Sequence, residues 1–499
     1  MRRRLFTVLL LLLLPSLVAG VASAQDVGVQ ALPGGSWTTG TQVQNVGTDP
    51  ATIIMTVYGQ TSGQWNLTYT NVAAGSSVNF SAASFGWADG SMGSAVVESD
   101  QPIVATTNET NGIAAGQYQG IDAPNGTLKF PLVKNNYQGS GKSTTFFVQN
   151  AGSSPAVISA VYKDVSGATY NWNSGAPVQP SRMVMLNPTD VGFPTDKLGS
   201  LTVTAGVPIA GVVNEHHVSD GSILQAARGF APADAGQVLL IPTIKRQHGN
   251  CAASGCRSTG PIIQNVSGGA VNVTISYKGT GINFVQYANN MPNGSSVVFY
   301  ENAIVCPAGA TCGSTGTPLP ANTLCSAVVE ATGDIVGVVN ESYFTVPPGQ
   351  RQRATATAAF DQVAATIKVA IPQYKVNHDY KNSGIQLQNT DLSNSATFDA
   401  VFAMGSGGSV TEYTLHGSIN PGQAVTLFKL YSALPPGASW VGAGFPAGWS
   451  ASSTAAQRLG SVTITSNRAI VAAVTESDED PDVNARQDIK SYEGFNLAP

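Results

Sequence analysis

The sequence repeats itself four times, and this periodicity limits the possible folds more than any other feature. Each repeat contains a strand-like stretch that ends in Gln-Asn, and these stretches lie roughly 100 residues apart. The four closing asparagines are Asn45, Asn150, Asn265 and Asn389. A unit of this length can bury a core of its own, whereas the shorter units of a solenoid depend on their neighbours.

An aromatic residue follows each Gln-Asn pair by twelve or thirteen positions, in a segment whose apolar residues alternate. A period of two is typical of a β-strand with one buried face. The four aromatics are Tyr58, Tyr162, Tyr277 and Phe402. We therefore expect these four aromatics to be buried in corresponding strands. In the first repeat, Ile54 and Thr56 share a strand face with Tyr58.

The end of each repeat is more regular still. A serine recurs at Ser94, Ser200, Ser326 and Ser461. A dipeptide begins fourteen residues after each serine, as Asn108-Glu109, Asn214-Glu215, Asn340-Glu341 and Thr475-Glu476. A constant spacing with variable filling predicts a hairpin whose turn fixes its register.

The composition favours β structure. Only 11% of the residues are charged, and the chain contains 54 Gly and 28 Pro, so it is rich in turn formers and poor in the residues that solvated helices need. We predict an all-β fold of four tandem antiparallel Ig-like β-sandwich domains. The expected ranges are 25–121 (repeat 1), 122–235 (repeat 2), 236–365 (repeat 3) and 366–499 (repeat 4), strung together as a rod.

Residues 1–24 are typical of a cleaved signal peptide. Three arginines precede an apolar stretch, and Ala22-Ser23-Ala24 forms a small-residue cleavage site. No other apolar run in the sequence is long enough to span a bilayer. We expect an exported protein, extracellular or on the cell surface, without a transmembrane anchor.

Further short motifs point to a family. A proline-containing apolar strand opens the later repeats (LKFPLVK, VLLIPTIK, IKVAIPQYK), and the links after the closing dipeptide read YQGI, ARGF and YEGF. Together with the Gln-Asn and Asn-Glu motifs, they resemble the tandem Ig-like repeats of secreted bacterial cell-surface proteins. The resemblance implies a surface or matrix role and carries over no catalytic residues.

Several functional classes find no support in the sequence. The formal charge is −5 and no basic patch stands out, which argues against nucleic-acid binding. The segment GSGKST looks like a phosphate loop, but Asn136 stands where that motif requires glycine, and a repeat strand follows it. The five histidines are scattered, and neither GxSxG nor HExxH occurs. We expect no enzymatic activity and no cofactor.

All five cysteines fall in repeat 3. Export permits disulfides, and Cys251/Cys256 and Cys306/Cys312 form two close pairs. We favour two local disulfides with Cys325 as a buried thiol. The alternatives are other pairings, or a zinc site whose spacing matches no standard finger.

Two acidic features are candidate sites. The glutamates of the closing dipeptides (Glu109, Glu215, Glu341 and Glu476) lie where one repeat meets the next, so their carboxylates either accept backbone N–H bonds of the link or bind Ca²⁺ between domains. In repeat 4, Asp478, Asp480, Asp482 and Asn484 alternate like the start of a Ca²⁺ loop. Because the pattern then lacks its glycine and its bidentate glutamate, a solvated acidic loop is the alternative.

These features favour a non-enzymatic structural or adhesive protein of the cell surface or extracellular matrix. Its expected partners are other copies of itself or a surface polysaccharide or protein. The alternative is a secreted carbohydrate-binding protein whose sugar-stacking residues are Trp87, Trp172, Trp440 and Trp449. The segment YEGFNLAP at the end of repeat 4 is expected either to fold back on its own repeat or to add a strand to another molecule.

Overall fold

The computed structural model describes residues 5–6, 32–87, 90–252, 255–346, 352–406, 409–479 and 489–497. The described residues form an all-β protein without an α-helix, so the predicted all-β class is confirmed. The short 3-10 turns are Ala82–Phe85, Tyr137–Gly139, Pro188–Val191, Pro232–Asp234, Gln362–Ala364, Ala447–Ser450 and Ala456–Arg458. Apart from Leu5–Phe6, which pairs with Val97 and Glu98, the predicted leader lies outside the described residues.

The strands follow the sequence repeats. Those of repeat 1 are Thr38–Asn45, Ala51–Gly59, Gln64–Val72, Ser77–Ser81, Gly93–Ser99, Ile103–Thr110 and Ala115–Gln119. Those of repeat 2 are Asn125–Asn135, Lys142–Asn150, Ile158–Asp164, Thr169–Asn173, Met183–Leu186, Lys197–His217 and Leu224–Arg228. Those of repeat 3 are Gly236–Arg246, His248–Asn250, Gly255–Asn265, Val271–Lys278, Val285–Met291, Ser296–Tyr300, Ala303–Val305, Thr311–Thr315, Thr323–Thr345, Ala354–Ala358 and Phe360–Asp361. Those of repeat 4 are Thr366–Lys375, Lys381–Asn389, Ala396–Ser406, Ser409–Ile419, Ala424–Leu427, Ser439–Val441, Leu459–Asp478, Lys490–Glu493 and Phe495–Asn496.

The segment from the recurring serine to the closing dipeptide is one long strand in repeats 2, 3 and 4. In repeat 2, the first half of Lys197–His217 pairs with Ile158–Asp164 and the second half pairs with Lys142–Asn150. The predicted hairpin is therefore wrong: the constant spacing reflects a strand that passes from one side of the core to the other. In repeat 1 the segment is split into Gly93–Ser99 and Ile103–Thr110, which belong to two separate four-stranded sheets.

Each repeat has its own apolar core, and three of the four marker aromatics lie in it. Tyr162, Tyr277 and Phe402 are buried as predicted. Tyr58 is only half-buried, and the prediction fails there because the alternation is shifted by one residue: Ile53, Met55 and Val57 face the core. In the sheet Tyr58 pairs with Ser94, as Lys163 pairs with Ser200 in repeat 2. Tyr58 therefore corresponds to Lys163 and not to the buried Tyr162.

The first strand that begins after each closing dipeptide is here called the link strand: Ala115–Gln119, Leu224–Arg228, Ala354–Ala358 and Lys490–Glu493. Each link strand contacts those of both neighbouring repeats, and the link strand of repeat 4 contacts that of repeat 1. Gln119 Nε2 donates to the carbonyl of Glu493 at 3.0 Å, and Ser77 Oγ donates to the carbonyl of Pro372 at 3.0 Å. The repeats thus close into a ring, and the expected rod is wrong because repeats 1 and 4 are in direct contact.

The contacts between repeats differ in character. Between repeats 1 and 2, an apolar cluster includes Trp37, Tyr118, Phe147 and Leu224. Between repeats 4 and 1, the contact is rich in amides: Gln117 Nε2 donates to Gln373 Oε1 at 3.1 Å. Burial of apolar area stabilises the first contact, whereas the closing contact depends on buried hydrogen bonds being made.

Candidate functional site

The recurring serines, and the glutamines of the Gln-Asn motifs, lie at the contacts between repeats, here called junctions 1/2, 2/3, 3/4 and 4/1. The four serines make equivalent bonds around the ring. Each hydroxyl donates to a backbone carbonyl of the following repeat, and the pairs are Ser94–Ser181, Ser200–Gly294, Ser326–Gly422 at 3.1 Å and Ser461–Gly75 at 2.8 Å. The last bond runs from repeat 4 to repeat 1 and completes the cycle.

The glutamine of each Gln-Asn motif donates to the same carbonyl from within its own repeat. Gln44 Nε2 is 3.1 Å from Gly75 O, and Gln388 Nε2 is 3.1 Å from Gly422 O. The same bond occurs from Gln149 to Ser181 O and from Gln264 to Gly294 O. One carbonyl per repeat therefore accepts two side chains, one from each side of a junction.

Left-handed turn residues present these carbonyls. Gly75, Gly294 and Gly422 have φ of 75°, 76° and 66°, and Ser181 has φ of 61°. Glycine adopts this conformation at little cost, whereas a residue with Cβ is strained in it. The sequence contained the signal in its recurring serines and turn glycines, but nothing in one chain stretch indicates which other stretch it contacts.

The asparagines that precede the recurring glutamates cross two of the junctions. Asn214 Nδ2 donates to Glu109 Oε2 at 2.7 Å, and Asn340 Nδ2 donates to Glu215 Oε2 at 2.8 Å. Asn108 at junction 4/1 instead donates to Gln373 Oε1, at 3.5 Å. In the bonds from Asn214 and Asn340, the donors to the carboxylates are side-chain nitrogens, not the backbone N–H groups that we expected.

Lysines of the proline-containing opening strands neutralise three of the four glutamates. Lys134 Nζ lies 2.9 Å from Glu215 Oε1, Lys245 Nζ lies 2.7 Å from Glu341 Oε1, and Lys375 Nζ lies 2.7 Å from Glu476 Oε2. Arg257 and Lys490 add a second cation to Glu341 and Glu476, respectively.

Burial alone would raise the pKa of each of these three carboxyls, but the adjacent cations outweigh it and hold the pKa below its usual value. Glu215, Glu341 and Glu476 are therefore ionised and paired with these cations.

Glu109 is the exception. It is 1% exposed, and its partners are Asn214 and the Tyr118 hydroxyl at 3.4 Å. No cation among the described residues forms an ion pair with it. Burial therefore dominates and raises the pKa of Glu109 to about 8, although the bonds from Asn214 and Tyr118 oppose the shift. One junction thus contains a carboxyl that is protonated at neutral pH.

The predicted cysteine pattern is confirmed. Cys251–Cys256 and Cys306–Cys312 form disulfides, and Cys325 is a buried free thiol. The two disulfides fit an oxidising compartment. None of the described segments is a helix long and apolar enough to cross a bilayer.

The proposed cation and sugar sites are spread over the molecule. In the acidic segment, positions 480–488, including Asp480, Asp482 and Asn484, lie outside the described residues, whereas Asp478 is buried and lies 3.8 Å from Lys381. Within the described ranges, no group of three or more His, Cys, Asp or Glu side chains is placed to hold a metal.

Of the tryptophans, Trp87 is buried and Trp172 packs partly buried against the core of repeat 2. Trp440 and Trp449 belong to an aromatic cluster around Phe445 in repeat 4.

The comparisons with known proteins identify no family. No protein-family model and no curated protein matches the chain. A crystal structure of Thermotoga maritima 1070 matches with 18% identity over 21% of this chain and 91% of that chain, with a TM-score of 0.18. A crystal structure of a tetra-tandem repeat in the extending region of a large adhesion protein matches with 10% identity over 93% of this chain and 95% of that chain, with a TM-score of 0.09. Scores this low support no conclusion about fold or function.

Proposed function

We propose that the protein is an exported, non-enzymatic structural or adhesive component of the cell surface or extracellular matrix. In this proposal each repeat is a variant of an Ig-like two-sheet sandwich, and the four repeats form a rigid ring that displays loops in four directions. The ring replaces the rod that the sequence suggested.

One observation carries this proposal most directly. The serine that recurs in all four repeats bonds the following repeat each time, as in the bond from Ser461 to Gly75 that closes the cycle. Residues of a reaction site would converge on one place, whereas these are distributed with the symmetry of the ring. The two disulfides of repeat 3 support export, because disulfides persist in oxidising environments.

The test uses the chain from Gln25 onward, immobilised on beads and exposed to cells and to isolated extracellular matrix of its source. We expect retention of cells or matrix above that on beads that carry an unrelated secreted β protein of similar charge. Retention no higher than on the control beads would contradict the adhesive proposal.

A second candidate, binding of carbohydrate by tryptophan, is favoured by one feature of repeat 4. Trp449 lines a shallow hollow of about 330 Å³ together with Tyr413 and Arg458. Replacement of Trp449 by Ala should abolish retention on polysaccharide if stacking on this ring carries the binding. Unchanged retention would exclude this site.

A further inference from the structure

The strand Gln64–Val72 of repeat 1 lies at the end of its sheet. It pairs with Ala51–Gly59 on one side, and no strand among the described residues pairs with its other side. A strand in this position presents unpaired backbone N–H and C=O groups to which another strand can bond. Proteins commonly protect such an edge by covering it, keeping it short, or placing charged residues or proline on it. Gln64–Val72 has nine residues, and none of them is charged or proline.

Repeats 3 and 4 cover the equivalent edge with an additional strand. In repeat 3, Thr311–Thr315 pairs antiparallel with five residues of Val285–Met291. In repeat 4, Ser439–Val441 pairs antiparallel with the middle of Ser409–Ile419. The described residues of repeat 1 include no such covering strand. The architecture of the repeat therefore accepts a further antiparallel strand at this edge, and repeat 1 leaves the place open.

The edges of repeats 1 and 3 correspond residue by residue. In both strands the pairing shifts register at an asparagine with positive φ, 59° at Asn71 and 56° at Asn290. The residues covered in repeat 3 are the five that precede this asparagine. Their counterparts in repeat 1 are residues 66–70, so the stretch that is open to pairing lies before the bulge at Asn71.

The inner face of the open edge is apolar and held in place by the core. Trp65, Leu67 and Tyr69 are only partly buried against the core of repeat 1. The ring of Trp65 lies 5.5 Å from that of Trp87, and the ring of Tyr69 lies 5.0 Å from that of Phe80. A further strand would bury more of this apolar surface at little cost in side-chain ordering, because the core already fixes the rings.

The sequence of the strand is complementary to itself. When two copies pair antiparallel about a two-fold axis at Leu67, Trp65 of one copy lies opposite Tyr69 of the other. On the outer face, Asn66 lies opposite Thr68. The inner-face pairs are thus aromatic or aliphatic, and the outer-face pairs bring no like charges together. Such a pairing uses the same surface on both copies and closes as a dimer.

Repeat 2 provides an internal comparison. Its edge strand Thr169–Asn173 is also uncovered among the described residues, but it has five residues instead of nine. It offers a partner two partly buried aromatic side chains, Tyr170 and Trp172, where repeat 1 offers three apolar ones. Since short edge strands are poor templates for pairing, repeat 1 is the favoured site.

We propose that the protein forms a two-fold dimer in which Gln64–Val72 pairs antiparallel with the same strand of a second copy. This inference rests on the proposed structural or adhesive function, for which it names one partner, another copy of this chain.

The test is sedimentation velocity of the chain from Gln25 onward between about 1 µM and about 300 µM. We expect a monomer at the lowest concentration and a dimer at the highest. The dissociation constant should be on the order of 100 µM, because one short strand pair makes an interface at the small, weak end of the range.

Two variants of the exposed outer face test the register. Asn66→Lys with Thr68→Lys places like charges opposite each other in both outer-face pairs and should weaken dimerisation at least about tenfold. Asn66→Lys with Thr68→Glu also adds two charges, but opposite charges then face each other, so the dimer should form as in wild type. The matched control in repeat 2, Asn171→Lys with Asn173→Lys, should leave dimerisation unchanged. The melting temperature of every variant verifies its fold.

Four results would overturn the proposal. They are a monomer at every concentration, a dimer that persists with two added lysines in repeat 1, no dimer in the oppositely charged variant, or an equal loss in the repeat 2 control. The bead assay tests the proposed function separately. Retention no higher than on the control beads, by a chain that dimerises as expected, would contradict the adhesive function and leave the strand pairing intact.

Discussion

Glu109 and Glu215 occupy the same position in consecutive repeats, and each accepts a bond from the asparagine of the following repeat. Their charge states are nevertheless opposite. Lys134 holds the pKa of Glu215 below its usual value, whereas burial raises that of Glu109, which pairs with no cation among the described residues, to about 8. One hydrogen-bond geometry thus serves an ion pair at junction 2/3 and a neutral carboxyl at junction 1/2. The asparagine amide thus fixes the hydrogen-bond geometry, whereas a lysine on the opening strand determines whether the carboxyl is charged.

The largest expected effect comes from Glu215→Gln. It leaves Lys134, whose side chain is 14% exposed, without its counter-charge, and the loss of one partner from a largely buried pair costs about 3 kcal/mol. Glu109→Gln at pH 6 should change stability far less, because it replaces a neutral carboxyl by a neutral amide. Urea unfolding at pH 6 measures both, and equal losses in the two variants would break the comparison.

The pH dependence of stability should differ between wild type and Glu109→Gln. Between the ordinary value of 4.5 and about 8, folded Glu109 keeps a proton that the unfolded chain releases, so its contribution to stability falls as pH rises through this range. Relative to wild type, the free energy of unfolding of Glu109→Gln should rise by at least about 1.4 kcal/mol between pH 5 and pH 8. This amount is the equivalent of one pKa unit.

The measurement is thermal or urea unfolding of both proteins across that range. Glu215→Gln is the matched control and should show no such gain. The pKa of Glu215 is lowered in the folded protein, so its contribution to the free energy of unfolding no longer changes above about pH 4.5. Parallel curves for wild type and Glu109→Gln would contradict the assignment of a protonated Glu109.

A smaller effect is expected at the closing junction. Ser461→Ala removes the bond from repeat 4 to Gly75 of repeat 1 and should cost about 1 kcal/mol. Ser466→Ala is the control, since that exposed hydroxyl bonds Thr397 O within its own repeat. If urea unfolding shows the same change for both, the junction bond contributes nothing to closure.

The smallest expected effect is a gain. Ser181 has φ of 61°, where the equivalent residues are glycines. Ser181→Gly should relieve left-handed strain and raise stability by up to about 1 kcal/mol, while Gly75→Ser should lower it by a similar amount. Changes of the same sign in the two melting temperatures would refute this reading of the turns.

The sequence predicted the strands better than their connections. Alternation placed Tyr162 and Phe402 in buried strands, because burial of one face is a local property. The constant spacing predicts a hairpin where the structure has the long strand Lys197–His217, because a fixed spacing is compatible with either structure. Ring closure was not predictable in this way. It depends on pairs such as Ser77 and Pro372, which are far apart in the chain and carry no mutual signal in a single sequence.

Small-angle X-ray scattering of the chain from Gln25 onward tests the ring most directly. Four packed repeats should give a radius of gyration of about 25 Å, whereas four domains of this size in a line should give about 40 Å. We expect the lower radius of gyration in dilute solution, where the single chain dominates. A value near 40 Å would contradict the contact between repeats 4 and 1 and restore the rod.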